Sequence, residues 1–267
     1  MNVTIPYDPR RFRTAAAHYL AGRPPYADLL IRRVAAACGL RRDDRVLDLG
    51  CGPGPLAVAF ARFAGEVVAV DPEPEMLQAA AANAAAAGVA IRLVQGSSYD
   101  LDATFGRFRL VAIGRAFHWM DRADTLARLD RLIEADGAVA LFADRHPDVP
   151  DNRWRQDYEA LVNRYVEGDS IRSLRKSVAW VRHEAVLLDS PFSHLERISV
   201  IERRRVSVDS LVHRVRSMST TSADGLGPRT EALAAEIRAA MSRQAIEGQI
   251  TEVVESEALL ARRPSAV

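Results

Sequence analysis

Five short apolar runs, at 45–49, 66–71, 91–96, 108–114 and 137–142, alternate along the chain with stretches whose apolar residues recur every three or four positions. The runs are too short for stable helices and rich in Val, Leu and Ile, which predicts strands buried on both faces of a parallel sheet. The stretches between them, 55–63, 73–87 and 121–134, predict helices. In the last of these Leu126, Leu129, Leu132 and Ile133 form one apolar face, and the alanine-rich 73–87 stops at Gly88. Strand and helix alternating with short connections predicts a doubly wound α/β sheet.

The same reading extends to both ends. Two helices, 11–21 and 26–38, precede the first strand, separated by Pro24 and Pro25, with Leu29, Leu30, Val34 and Ala37 on one side of the second. Residues 1–10, with Pro6 and Pro9, predict an extended arm. Beyond Ala143 the rhythm changes to a polar loop at 144–153 and one or two helices over 154–190. A strand at 195–206, a helix at 208–218, a Ser, Thr and Gly loop at 219–227, a helix at 230–244 and a closing strand at 250–263 follow. Neither helical insertion is large enough to carry its own core, so a single domain spanning 1–267 is expected.

The first strand runs into RVLDLGCGPG at 45–54, where Gly50, Gly52 and Gly54 make a turn before a helix, and Asp71 closes the next apolar strand. Glycine serves where the backbone turns sharply or a ligand must approach without a Cβ in the way. A glycine turn between strand and helix, followed by an acid at the end of the second strand, suits a nucleoside: backbone near its charged part, carboxylate on its ribose. A tight structural turn would account for the glycines but not for Asp71. The spacing is G-x-G-x-G, with Asp48 two positions before the first glycine, and this disfavours the G-x-G-x-x-G of an NAD-binding oxidoreductase.

That variant resembles motif I of the class I S-adenosylmethionine-dependent methyltransferases, and VVAVDP resembles their second motif. The A-x-H-W segment in GRAFHWM is similar to the type 11 small-molecule subgroup, which includes trans-aconitate and ubiquinone-pathway methyltransferases. The resemblance implies a Rossmann-like sheet of seven strands, six parallel and one antiparallel, the seventh inserted between the fifth and sixth. It further implies a helical cap over 1–40, a cofactor-binding core over 41–142, and helical insertions at 143–192 and 207–245 that form a substrate lid. The implied cofactor is S-adenosylmethionine, with S-adenosylhomocysteine as product. Asp48, Gly50, Cys51, Gly52 and Gly54 would surround its methionine end, with Tyr19 and Arg23 as candidates for its carboxylate. Asp71 would hold the ribose, Pro72 and Met76 the adenine, Ser97 and Ser98 the adenine amino edge, and Arg115, Ala116 and Phe117 the remaining wall. The two serines stand where family members commonly place an acid, with Asp100 and Asp102 just beyond.

Composition narrows the partners. Charged residues make up 27% and apolar ones 48%, and 36 basic against 35 acidic residues leave a net charge of +1, which offers no case for nucleic acid. The N-terminus lacks the apolar run of a signal peptide and no stretch approaches the roughly 18 apolar residues of a membrane span, so a cytoplasmic protein without a membrane partner, monomer or homodimer, is expected. Cys38 and Cys51 make neither a disulfide framework nor a ligand spacing, and no histidine pattern supports a metal.

Methyl transfer is an in-line attack on an activated carbon, so a base is needed only for an acceptor protonated at neutral pH. His118 is the candidate catalytic residue, orienting the acceptor or taking its proton; the alternative is a ring held structurally beside Trp119. His146 is a second candidate. Trp154, Tyr158, Tyr165 and Trp180 suit an aromatic or apolar small molecule, and Arg23, Arg115, Arg153 and Arg175 are available for a carboxylate. The expected reaction is methylation of an oxygen or nitrogen, less readily carbon. A nucleoside-binding protein without turnover and a nucleic acid methyltransferase are the alternatives.

Overall fold

The computed structural model describes residues 4, 5, 8 and 11–264; Pro6 and Pro9 of the expected arm lie outside the described residues. Strands β1 (Arg45–Leu49), β2 (Glu66–Asp71), β3 (Arg92–Gln95), β4 (Phe108–Gly114), β5 (Ile133–Arg145), β6 (His194–Ser207) and β7 (Gln249–Arg262) form one sheet. Their order is β3-β2-β1-β4-β5-β7-β6. β7 runs antiparallel to both β5 and β6, and the other pairings are parallel. This is the expected Rossmann-like sheet of six parallel strands and one antiparallel.

Because successive side chains leave a strand on opposite faces, each central strand feeds two cores. Val46, Val67, Ala69, Leu110, Ala112, Ala138 and Ala140 belong to one cluster, with Leu30, Ile31 and Val34 of α2 (Asp28–Ala37) and Leu56 and Phe60 of α3 (Pro55–Phe60). Leu47, Val68, Val70, Val111, Ile113, Val139 and Leu141 belong to the other, against Leu126 and Leu129 of α5 (Arg122–Leu132). Helix α4 (Pro74–Ala87) starts on a proline, whose missing N–H costs nothing there, and closes on a left-handed Gly88.

Boundaries shift where tertiary contacts compete for backbone groups. The first helix, α1, spans Ala16–Gly22, and residues 11–15 form turns. There Phe12 N–H donates to Glu73 Oε1 at 3.1 Å and Thr14 N–H to Asp224 Oδ2 at 2.7 Å. β5 begins at Ile133 and continues to Arg145, because the antiparallel ladder with β7 pairs Ala143, Asp144 and Arg145 with Glu257, Ser256 and Glu255. The stretch 154–190 holds three helices, α6 (Trp154–Tyr165), α7 (Ser170–Lys176) and α8 (His183–Leu188). The last three helices are α9 (Val208–Arg216), α10 (Ala223–Leu226) and α11 (Arg229–Gln244).

The insertions share a core that neither carries alone. Trp154, Tyr158 and Val162 of α6 bury against Leu211, Val212 and Val215 of α9 and Leu233, Ile237 and Met241 of α11. Neither insertion has a core of its own: α6 supplies one side of a hydrophobic cluster whose other side comes from α9 and α11. Every fully buried Leu or Ile there contributes about 1.5–3 kcal/mol. α9 also seats α1. Gly22 approaches so closely that a Cβ would lie 2.5 Å from Arg214 N, and His18 Nδ1 meets His213 Nδ1 at 3.0 Å.

Glu252 of β7 ties these parts together. Fully buried, it accepts hydrogen bonds from Arg214 Nη1 and Nη2, each at 3.0 Å, and from Arg204 Nε at 2.8 Å, and it faces His146 Nε2 at 3.2 Å. Arg214 Nε donates to Gly22 O at 3.0 Å. One carboxylate thus links β7, β6, α9, the end of β5 and, through Arg214, the cap. Burial alone would raise its pKa, but hydrogen bonds from His146 and Arg214 and the charges of Arg214 and Arg204 hold it well below the ordinary value.

Glu252→Gln keeps the shape and strands the buried Arg214 guanidinium, so denaturant unfolding at pH 7 should show a loss of about 3–5 kcal/mol. A depressed native pKa adds stability that is present above the unfolded value of 4.5 and disappears as pH falls toward the folded value. Below pH 4.5 the wild type should therefore lose stability more steeply than the variant.

The histidine pair predicts a second dependence, of opposite chemistry but the same direction. Burial, His213 and Arg216 lower the His18 pKa, and Glu231 opposes them only in part. The unfolded chain then binds more protons, so docking of α1 on α9 weakens as pH drops below 6.5. Amide protection in residues 16–22, measured relative to intrinsic exchange at each pH, should fall between pH 6.5 and 5, and His18→Asn should remove that fall.

Candidate functional site

The strand order reverses between β1 and β4, and at such a switch point the loops diverge to leave a crevice beyond the carboxyl ends of the strands. A cavity of about 1440 Å³ lies there, bordered by Gly50 after β1, Asp71 at the end of β2, Gly96 after β3, Gly114 at the end of β4 and Asp144 on β5.

Its floor is the glycine turn. The N–H groups of Gly50 and Cys51 both donate to Val70 O, at 2.8 and 3.0 Å, bending the chain off β1. Gly50 has φ 68°, and a Cβ on it would lie 2.7 Å from that of Ala116, so only glycine lets the segment after β4 close on the turn. Asp71, buried at the cavity edge, accepts from Gly52 N at 2.8 Å through Oδ2 and from Glu73 N at 3.0 Å through Oδ1. Burial raises its pKa and the two N–H donors oppose the rise. Each oxygen keeps a further lone pair for a ligand hydroxyl.

Most of the residues singled out in the sequence meet at this cavity. Gly50, Gly52 and Asp71 border its floor; Pro72, Met76, Ser97 and Ser98 lie on one side. Arg115, Ala116, Phe117 and His118 come from the segment after β4, and Tyr19 and Arg23 from the cap. Three do not reach it. Asp48 turns away to accept from Ala57 N at 2.8 Å, pinning α3 to β1, and burial, with the charge of Asp71, pushes its pKa up to about 7 against that hydrogen bond. Cys51 packs in the first core cluster, where burial first, then Asp48 and Asp71, raise its thiol well above the ordinary range. Gly54, with φ 73°, accommodates Ala80, whose Cβ would lie 3.2 Å from an added one. Motif spacing groups these with the other two glycines; the turn sends them to the helix side. Ser97 is also committed, its Oγ donating to Asp100 Oδ2 at 2.8 Å to cap a short 3-10 turn. The hydroxyl and Asp100 satisfy each other, and neither projects freely toward a ligand.

The cap crosses the cavity mouth. Phe12 packs edge-on against Trp119 with ring centres 5.4 Å apart, and the Arg11 guanidinium lies 4.8 Å from the Trp119 ring. Arg115 ion-pairs with Asp144, donates to Pro24 O at 2.7 Å and lies over Tyr26, bolting the cap linker to β5. Arg23 lies 5.5 Å over Tyr19 and its Nη2 donates to Ser217 O at 3.3 Å; its Nε is buried without a hydrogen-bond partner. Burial lowers its pKa, opposed chiefly by Tyr19.

On the opposite side His118 lies 4.6 Å from Trp119. Burial lowers its pKa well below 6.5, and Arg175, His183, Arg23 and Arg122 add to the effect, so the ring is neutral at pH 7. Arg122, 2% exposed, holds the lid from beneath: Nη1 donates to Val181 O at 2.6 Å, the guanidinium lies 4.2 Å from the Trp180 ring, and His183 is 3.4 Å away. Nothing in the local sequence marks this arginine, because its partners lie beyond the lid helix. The aromatics divide. Tyr158 and Trp180 border the cavity, whereas Trp154 donates to Thr251 O and Tyr165 to Glu236 Oε1, both within the shared core of the insertions. His146 borders the cavity but is taken up by Glu252. Of the arginines considered for a carboxylate, Arg23, Arg115 and Arg175 line the cavity and Arg153 does not.

Among the described residues no group of three His, Cys, Asp or Glu side chains could hold a metal, and no helix is long and apolar enough to cross a membrane. Residues 46–137 match a family model described as a methyltransferase domain. An uncharacterized methyltransferase of Mycobacterium tuberculosis is 28% identical over 224 residues, covering 83% of this chain and 82% of that one. A malonyl-[acyl-carrier protein] O-methyltransferase of Enterobacter lignolyticus is 31% identical over 194 residues, 68% of this chain and 72% of that one. In fold, the chain is similar to a methyltransferase of Geobacter sulfurreducens solved with S-adenosyl-L-homocysteine, with a TM-score of 0.55 and 17% identity over 98% of this chain and 99% of that one. With the sheet order, the glycine turn and Asp71 all in place, the chain belongs to the class I S-adenosylmethionine-dependent methyltransferases.

Proposed function

We propose that this protein transfers a methyl group from S-adenosylmethionine to an oxygen or nitrogen of a small molecule enclosed beneath the cap and lid, as a type 11-like member of its family. The observation that carries the reading is the joined floor of Gly50, Gly52 and Asp71 under a cavity roofed by Tyr19, Arg23 and Trp119. The residues present suit the cofactor: Gly50 and Gly52 offer backbone without a Cβ, Asp71 retains lone pairs for ribose hydroxyls, and the partnerless Nε of Arg23 calls for an anion such as the cofactor's carboxylate. Pro72, Met76 and Ser98 border the adenine side, and Arg115 supports the wall through Asp144 and Pro24.

When bound, the cofactor supplies a methyl carbon activated by its positively charged sulfur. The protein's task is then to align an acceptor with that carbon and exclude water. The Phe12–Trp119 contact and the Arg122 clamp on Trp180 cover the cavity from two sides. His118, uncharged near neutrality, accepts or donates one hydrogen bond to the acceptor and orients it; a ring so reluctant to protonate is a weak base. Tyr158, Phe117 and Trp180 offer apolar surface to an aromatic acceptor.

Calorimetry should show binding of S-adenosylmethionine and S-adenosylhomocysteine and none of NAD; the reverse result overturns the reading. Asp71→Ala should weaken S-adenosylhomocysteine by about 1.5–3 kcal/mol, one to two decades in Kd.

For His118 the pH profile decides. With its pKa well below 6.5, protonation begins only as pH falls far under that value, so kcat should carry no limb from this residue between pH 6 and 8. His118→Asn should keep the Kd for S-adenosylhomocysteine, lower kcat about ten-fold, the value of one oriented hydrogen bond to a reacting group, and leave the profile's shape unchanged. Full turnover in a folded variant would remove His118 from the reaction.

A further inference from the structure

One stretch of the insertion over 143–192 is single-signed in charge. From Ser170 to Arg182 the chain carries Arg172, Arg175, Lys176 and Arg182 and no acidic residue, although the whole protein has almost equal numbers of both signs. All four border the cavity. Arg172 is held by Asn163 Oδ1, but Arg175, Lys176 and Arg182 make no ion pair among the described residues. The carboxylates that border the same cavity are already engaged. Asp144 pairs with Arg115, Glu159 with Arg155, Glu184 with Arg197, Glu257 with Arg145 and Arg197, and Asp8 with Arg11, while Glu73 accepts from Phe12 N and Asp71 from two backbone N–H groups. The acceptor side therefore carries uncompensated positive charge.

The cofactor does not supply the missing anion there. Its sulfur would be positive, and on the reading above its carboxylate would be met by Arg23 on the cap. Arg175 borders the cavity together with His118 and His183, two rings that burial keeps neutral at pH 7, so that they do not repel a further cation there. Trp180 and Tyr158, which border the same cavity, present apolar surface. A ligand matching these features has an aromatic or apolar body and one anionic group.

Resting on the methyl-transfer reading above, we propose that the acceptor is an aromatic carboxylic acid whose carboxylate is seated by Arg175 of the lid, which makes Arg175 a specificity-determining residue. A planar guanidinium matches a carboxylate through two parallel N–H donors, which a lysine cannot reproduce. An anionic acceptor also neutralises the lid as it closes, so that substrate charge and lid closure favour each other.

The test uses the full chain saturated with S-adenosylhomocysteine and four matched probes: 3-phenylpropanoate, its amide, 3-phenylpropylamine and phenethyl phosphate, with binding followed by ligand-observed NMR. The acid should bind at least about ten-fold more tightly than the amide and the amine, the worth of one charge-assisted pair. Arg175→Gln should abolish that preference and leave the Kd for S-adenosylhomocysteine within two-fold, and Arg175→Lys should restore part of it. Equal binding of acid and amide, preference for the amine, binding of none of the four, or a preference that survives Arg175→Gln each overturns the proposal. Tighter binding of the phosphate than of the acid overturns the carboxylate assignment in favour of a phosphate monoester. Any of these with intact S-adenosylhomocysteine binding leaves the methyltransferase reading standing, whereas loss of nucleoside binding by the wild type sinks that reading instead.

Discussion

The bidentate pairing of Arg214 with the buried Glu252 is the constraint on which the closed form of this protein depends. A buried carboxylate is tolerable only if cations and hydrogen-bond donors surround it. Here Arg204, Arg214 and His146 do so, and they arrive from β6, α9 and the end of β5. Arg214 then spends its remaining donor on Gly22, at the end of α1. Satisfying one charge brings the late part of the chain and its N-terminal cap into a single arrangement around the cavity.

The cavity is built in two parts with different physical origins. Its floor comes from local backbone geometry: Gly50 and Gly52 in left-handed conformations, locked to Val70 and Asp71 by hydrogen bonds between neighbouring strands. Its roof comes from long-range side-chain contacts, Phe12 on Trp119, Arg115 on Asp144 and Pro24, and Arg122 on Trp180 and Val181. The floor is the part common to nucleoside-binding α/β sheets, which place ligands at the switch point. The roof depends instead on side chains far apart in the sequence.

Charge is divided in the same way. At the floor and beneath it, the carboxylates of Asp71 and Asp48 are buried and met by backbone N–H groups. On the roof, cations predominate, and some lack a protein partner. A net charge of +1 conceals this division, since the four basic residues of the stretch 170–182 are balanced by acidic residues elsewhere.

The five parallel strands, the glycine turn and Asp71 were legible in the sequence because each rests on neighbours in the chain: a strand's apolar run, a turn's glycines, an acid at a strand's end. So were Tyr19, Arg23, Met76, His118 and the segment after β4 as residues of one cleft, through motif resemblance. Local pattern could not separate Gly50 and Gly52 from Asp48, Cys51 and Gly54, because which way a side chain leaves the turn is settled by what packs against it, Ala57 and Ala80 in this case. Nor could it show the shared core of α6, α9 and α11, the lengthening of β5, or the contacts of Arg122 and Glu252. Each of these depends on partners far apart in sequence, and a charge or an apolar face acquires its meaning only when folding brings the other half beside it.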